Sequence, residues 1–117
     1  RVYRENAPQD TQTYNEMVER ALRNNVFDLI EAIETRNGRG TTNENKFSEN
    51  LANNLGLPMT GASDAHKVDD VGTFATKFSD TITGVTDLIA ALKSGKYHPI
   101  NVRSHKHLSL HRTNFDN

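Results

Sequence analysis

Tyr14, Met17, Val18, Ala21 and Leu22 are apolar and recur at i, i+3, i+4, i+7 and i+8, the spacing of one face of an α-helix. Thr13 followed by Glu16 predicts a capping box at its start, and Asn24-Asn25 predicts its end. Val26 to Ile33 is a nearly continuous apolar run, broken by Asp28 and Glu31, and predicts a buried parallel strand. Thr35 to Asn43 is polar, contains Asn37-Gly38-Arg39-Gly40, and predicts a loop. Thr41 with Glu44 predicts a second capping box, before a helix whose apolar side is Phe47, Leu51, Ala52 and Leu55. Gly56 with Leu57 beyond it predicts a Schellman stop. Leu57-Pro58-Met59-Thr60 predicts a strand, Ser63 to Gly72 a long loop, and Thr73 to Phe78, which alternates, a short strand. Val85, Leu88, Ile89 and Leu92 mark a third helix stopped by Gly95, and Tyr97 to Val102 a last strand. Helices alternating with buried, mostly parallel strands over residues 1–102 predict an α/β layer or barrel. The order begins with a helix that no strand precedes, as in a cut through an α/β fold.

Composition narrows the class. A chain of 117 residues is one domain or part of one. The net charge of -1, mixed along the chain, gives no electrostatic argument for nucleic acid or a membrane surface. No apolar stretch reaches membrane-spanning length, and no signal peptide is visible. Zero cysteines excludes disulfides and thiolate ligands and fits a reducing cytoplasm. Arg1 rather than Met at the start points to a processed product or a fragment. The stretch 103–117 is a polar, His-rich tail.

The candidate chemistry gathers after the predicted strands. Asp64 and His66 lie two apart just past Met59-Thr60; in extended backbone they share a face. Oxygen plus nitrogen donors suit zinc, manganese or iron. The bland alternative is a turn Asp and a surface His. Active sites of α/β folds sit at strand C-termini, so the Asn37 to Gly40 loop belongs on the same face. There Arg36, Asn37 and Arg39 are candidates to hold a phosphate; the alternative is that they are solvated loop residues. Glu31 and Glu34 lie in or just after the apolar run, where a carboxylate is paired, hydrated or functional. Asp69-Asp70 reads as an exposed turn. His105, His107 and His111 in the tail form a second set able to take a transition metal, and His98 before Pro99 reads as structural or exposed. No nucleophile elbow and no P-loop is present.

Four stretches together resemble the C-terminal part of PHP domains, the polymerase and histidinol phosphatase superfamily. They are Asp28 to Glu34, Asn37-Gly38-Arg39, Ala52 to Pro58, and Gly61-Ala62-Ser63-Asp64-Ala65-His66 with Val71-Gly72 after it. Ala62 is an extra residue relative to the family's "GSDAH" pattern. The resemblance implies the C-terminal portion of a distorted (β/α)7 barrel, with two or three divalent metals at the strand C-termini. Asp64 and His66 match metal ligands, and Arg39 matches a loop residue at the mouth. It implies hydrolysis of phosphate esters by metal-activated water, with a phosphorylated small molecule or nucleotide as substrate. The family's His-x-His pair and His-Pro motif do not occur before His66, so the rest of the site is expected from an N-terminal PHP portion, in cis or in trans. This chain alone is expected to be inactive, and a truncated barrel is expected to self-associate through exposed strand edges. The alternative is a PHP-associated C-terminal module that does no catalysis and serves interaction or phosphate binding.

Overall fold

The computed structural model describes residues 10–103. The first helix, α1 (Thr11–Leu22), begins three positions before the sequence pattern places it. Asp10 is its N-cap: one carboxylate oxygen accepts the Thr13 N–H at 2.8 Å and the other the Thr13 hydroxyl at 2.9 Å. Thr13 is therefore a recipient of the cap and not the cap itself. Those two donors hold the Asp10 carboxyl below the usual aspartate value of 3.8.

The apolar run after α1 is not a strand. Asn24 turns its side-chain oxygen onto the Val26 N–H at 3.0 Å, and Asn25–Leu29 winds into a 3-10 helix. This local bond offers the backbone an alternative to a sheet ladder. It also leaves Leu29 84% exposed, so apolar character here does not mean burial. The strand comes later, as β1 (Ile33–Asn37), and takes the first part of the expected polar loop.

Helix α2 (Thr42–Leu55) is bounded as the sequence predicts. Glu44 N–H donates to the Thr41 hydroxyl at 3.2 Å while Glu44 accepts the Thr41 N–H at 2.7 Å, a complete capping box. At the other end Gly56 has φ 65, and Leu57 N–H returns to the Ala52 carbonyl at 3.0 Å. A left-handed residue at this position carries little cost only without a Cβ. Strand β2 (Met59–Ala62) follows and runs parallel to β1, with Ile33 opposite Met59 and Asn37 opposite Ala62. A register shift lies between Glu34 and Arg36.

The second pair, β3 (Ala75–Phe78) and β4 (Tyr97–Ile100), is antiparallel. Helix α3 (Val85–Ser94) joins them. The short turn after α3 returns the chain to the end where β3 stopped, and Ser79 N–H donates to the Lys96 carbonyl at 3.0 Å. β4 must therefore run back along β3. The expected barrel and its mostly parallel strands are thus corrected: among the described residues there are two two-stranded sheets, and no (β/α)7 barrel. β2 still meets β3 closely. The Thr76 hydroxyl accepts Gly61 N–H at 3.0 Å and donates to Gly61 O at 2.9 Å, standing in for a ladder rung.

The main core lies between α1 and α2 and against β1. Met17, Phe47 and Leu51 are buried, with Tyr14, Ile33 and Leu55 packed on them. The rings of Tyr14 and Phe47 meet edge-on at 6.0 Å. On β1, Thr35 is fully buried and its hydroxyl has no hydrogen-bond partner. Helix α3 departs from the sequence expectation in a different way. Its apolar face exists, but Val85, Leu88 and Ile89 are exposed.

Two substitutions separate these packing effects. Thr35→Val keeps the shape and removes the unpaired hydroxyl, so it should raise stability by about 1 kcal/mol. Leu51→Ala leaves a cavity beside Phe47 and should cost about 2–5 kcal/mol. Urea unfolding followed by circular dichroism reads both; a Thr35→Val variant less stable than the parent would show that its hydroxyl is paired.

Candidate functional site

Strands β1 and β2 are parallel and end side by side, so the loops leaving them emerge together. Gly38 N–H continues the pairing past both strand ends, to the Ala62 carbonyl at 3.0 Å. A Cβ on Gly38 would lie 2.4 Å from the Ser63 carbonyl oxygen, far inside contact distance. The first loop can lie against the second only because Gly38 lacks a side chain.

Asn37 and Asn45 shape the first loop. The Asn45 side chain accepts Asn37 N–H at 3.0 Å and donates to the Asn37 carbonyl at 3.2 Å. A helix side chain thus helps to satisfy the main chain where β1 ends. The Asn37 side-chain oxygen accepts from Arg39 N–H and Gly40 N–H, both at 2.9 Å, an Asx-type turn. Its amide donates to Glu34 at 2.8 Å. Asn37, a candidate phosphate residue by sequence, is fully engaged in building the turn.

The second loop turns at Asp64, whose φ is 49. Aspartate is among the few residues that enter the left-handed region readily. The extended, same-face arrangement expected for Asp64 and His66 is therefore replaced by a turn. Within it His66 Nδ1–H donates to the Asp64 carbonyl at 2.9 Å. The same nitrogen lies 3.9 Å from Asp64 Oδ1. With the proton on Nδ1, Nε2 keeps its lone pair. Imidazole and carboxylate come together as the sequence suggests, by a different backbone route.

Asp70 closes the turn, and its role was not read from the sequence. Its Oδ2 accepts His66 N–H at 3.1 Å and stands 3.5 Å from Arg39 Nη1. The His66 N–H is the chief influence lowering the Asp70 carboxyl below 3.8; partial burial opposes it, and Lys67 and Arg39 assist. The available signal was an Asp four residues after a His, at the end of a short 3-10 turn (Val68–Asp70).

A cleft of about 450 Å³ lies between the loops and α2, with Glu34, Arg39, Glu44, Asn45, Asp64 and His66 on its walls. Arg36 is not among them. It points to the other side of β1, where it pairs with Glu49 at 3.0 Å, beside a separate hollow that Lys46 and Phe74 also line. The two arginines of the first loop are thus parted, Arg39 at the cleft and Arg36 away from it. Glu34 reaches the cleft and Glu31 is exposed outside it. Among the described residues no group of three or more His, Cys, Asp or Glu is arranged to hold a metal ion. His105, His107 and His111 lie outside the described residues. No helix of the described residues is long and apolar enough to cross a membrane.

Gly38→Ala tests the contact between the two loops. The new Cβ must push the Ser63 main chain away, at a cost on the order of 2 kcal/mol. Amide chemical shifts from Ser63 to His66 should move more than those of α1; unchanged shifts there would show that the loops are not held by this approach.

No curated protein and no solved structure matches the chain. A family model described as PHP-associated matches residues 42–97, a span that contains α2, β2, β3, α3, Asp64, His66 and Asp70 and leaves Arg36, Asn37 and Arg39 just before it. Over residues 42–97 the chain is similar to a PHP-associated C-terminal domain.

Proposed function

We propose that this chain is the C-terminal portion of a PHP-family metal-dependent phosphoesterase, to which it contributes Asp64 and His66 as metal ligands. The observation that carries this reading is the turn at Asp64. It places a carboxylate beside an imidazole whose Nδ1–H is committed to a main-chain oxygen at 2.9 Å. Metal-binding histidines are commonly fixed in this way, the second ring nitrogen donating to an oxygen while the first faces the ion. The donor chemistry fits part of a zinc, manganese or iron centre. Two protein donors do not close one, so the other ligands would come from an N-terminal PHP portion, in cis or in trans.

When bound, two or three such ions would lower the pKa of a water and neutralise phosphoryl charge. The chain's own residues do the rest. Asp64 and His66 present their oxygen and nitrogen from a single tight turn. Arg39 offers guanidinium donors at the cleft, suited to the oxygens of a phosphorylated small molecule or nucleotide. Arg36, held by Glu49 on the far side of β1, takes no part. The chain by itself is expected to show no turnover.

A second reading is a PHP-associated module that binds a partner and does no chemistry. The exposed apolar residues Val85, Leu88 and Ile89 on α3 favour it. In that case the Asp64-Ala65-His66 turn is structural.

Zinc and manganese titrations by calorimetry separate the two. His105, His107 and His111 are replaced by Gln in every sample, so the tail contributes nothing. The phosphoesterase reading expects binding that Asp64→Ala and His66→Ala each weaken by roughly tenfold or more. Binding that neither substitution weakens overturns the metal-ligand assignment and leaves the module.

A further inference from the structure

We infer that Asp70 is a positioning residue for the cleft, fixing the His66 imidazole and the Arg39 guanidinium relative to each other. The inference rests on the reading of His66 as a ligand, but its own evidence is geometric. One carboxylate oxygen, Oδ2, receives His66 N–H at 3.1 Å and faces Arg39 Nη1 at 3.5 Å. Those groups come from different loops, one after β2 and one after β1. Asp70 thus ties the two loops together as well as closing a turn.

The tie acts on His66 through the backbone. The left-handed residue at 64 starts the turn, and the His66 N–H bond to Asp70 finishes it four residues later. In the turn so held, the imidazole Nδ1 meets the Asp64 carbonyl at 2.9 Å. That contact selects the Nδ1–H tautomer. In water the Nε2–H form of a histidine ring is the commoner one, so the selection depends on the turn being held. Asp70 is itself anchored. Its carbonyl accepts the Thr73 hydroxyl at 2.8 Å and Thr73 N–H at 3.2 Å, and the neighbouring Asp69 carbonyl accepts from the Arg103 guanidinium. Arg39 keeps a half-exposed side chain while paired, so it stays available to a ligand while Asp70 limits its swing.

The test is the ring nitrogen spectrum of His66 in the metal-free protein, by long-range proton–nitrogen correlation. The parent should show Nδ1 protonated and Nε2 bare. Asp70→Ala should shift the ring to mainly Nε2–H. Asp70→Glu keeps the charge but moves it by one methylene, and should lose the selection as well. Asp70→Asn keeps an acceptor for His66 N–H and should retain it. Arg39→Gln should leave the ring unchanged. Thermal melts accompany each variant; if Asp70→Ala does not fold, Asp70→Glu decides. A His66 ring that is Nδ1-protonated in Asp70→Glu and in every folded variant overturns the inference. Because the readout needs no metal, it can fail while the metal titrations succeed, or succeed while they fail.

Discussion

The site depends on how closely two chain segments can approach where β1 and β2 end. Gly38 N–H bonds Ala62 O at 3.0 Å, and the space a Cβ would need at Gly38 is filled by the Ser63 main chain. This approach puts the loop that carries Arg39 against the loop that carries Asp64 and His66. Parallel pairing supplies the alignment, since both strands point the same way and both loops leave from one edge. Asn45 then ties the main chain of Asn37 to α2 with two hydrogen bonds. The cleft is thus bounded by a strand end, a helix and a turn, each holding another. A change at Gly38 would reach Asp64 through the backbone without touching its side chain.

What the sequence disclosed was mainly local chemistry. The Thr41–Glu44 box and the stop at Gly56 involve residues three to five apart, and both form as the pattern predicts. The stop of α3 at Gly95, with φ 68, is of the same kind. Burial was harder to read, because it depends on what else packs nearby. Val26 and Leu29 looked like strand core and lie on an exposed 3-10 turn, held there by a bond from Asn24 that periodicity does not register. Val85, Leu88 and Ile89 have helical spacing and form a helix, yet stay exposed. The left-handed turn at Asp64 was hidden for a different reason. The expectation treated its neighbours as extended, and only the folded backbone shows the reversal. Asp64 and His66 were singled out by their types and order, and the fold brings them together in one turn. Asp70 and Asn45 were missed because their roles are to bond main-chain groups, which no side-chain motif announces.

Arg36 and Arg39 show how three residues of spacing send two arginines to different sides of β1. Arg36 lies in β1 just past the register shift, and its guanidinium goes to Glu49 on α2. Arg39 comes after the Asn37 turn and is carried to the other side, where Asp70 meets it. Surface ion pairs of this kind contribute little to stability, about 0–1 kcal/mol. Their consequence here is direction: each fixes which cavity its arginine serves. The pairing of Arg36 with Glu49 turns its guanidinium away from the cleft that Arg39 lines.

The charge balance of the cleft bears on the order in which ligands could enter it. Glu34, Glu44 and Asp64 line it with carboxylates, while the charge of Arg39 is already offset by Asp70. A phosphate arriving alone would meet a surface of its own sign, which lowers its local concentration. A divalent cation would meet the opposite. Under the proposed function, Glu34, Glu44 and Asp64 would favour a cation over a lone phosphate at the cleft, and Arg39 would offer its guanidinium to a phosphate beside that cation. An acidic cleft with a single tethered arginine is poorly built to bind phosphate without a metal.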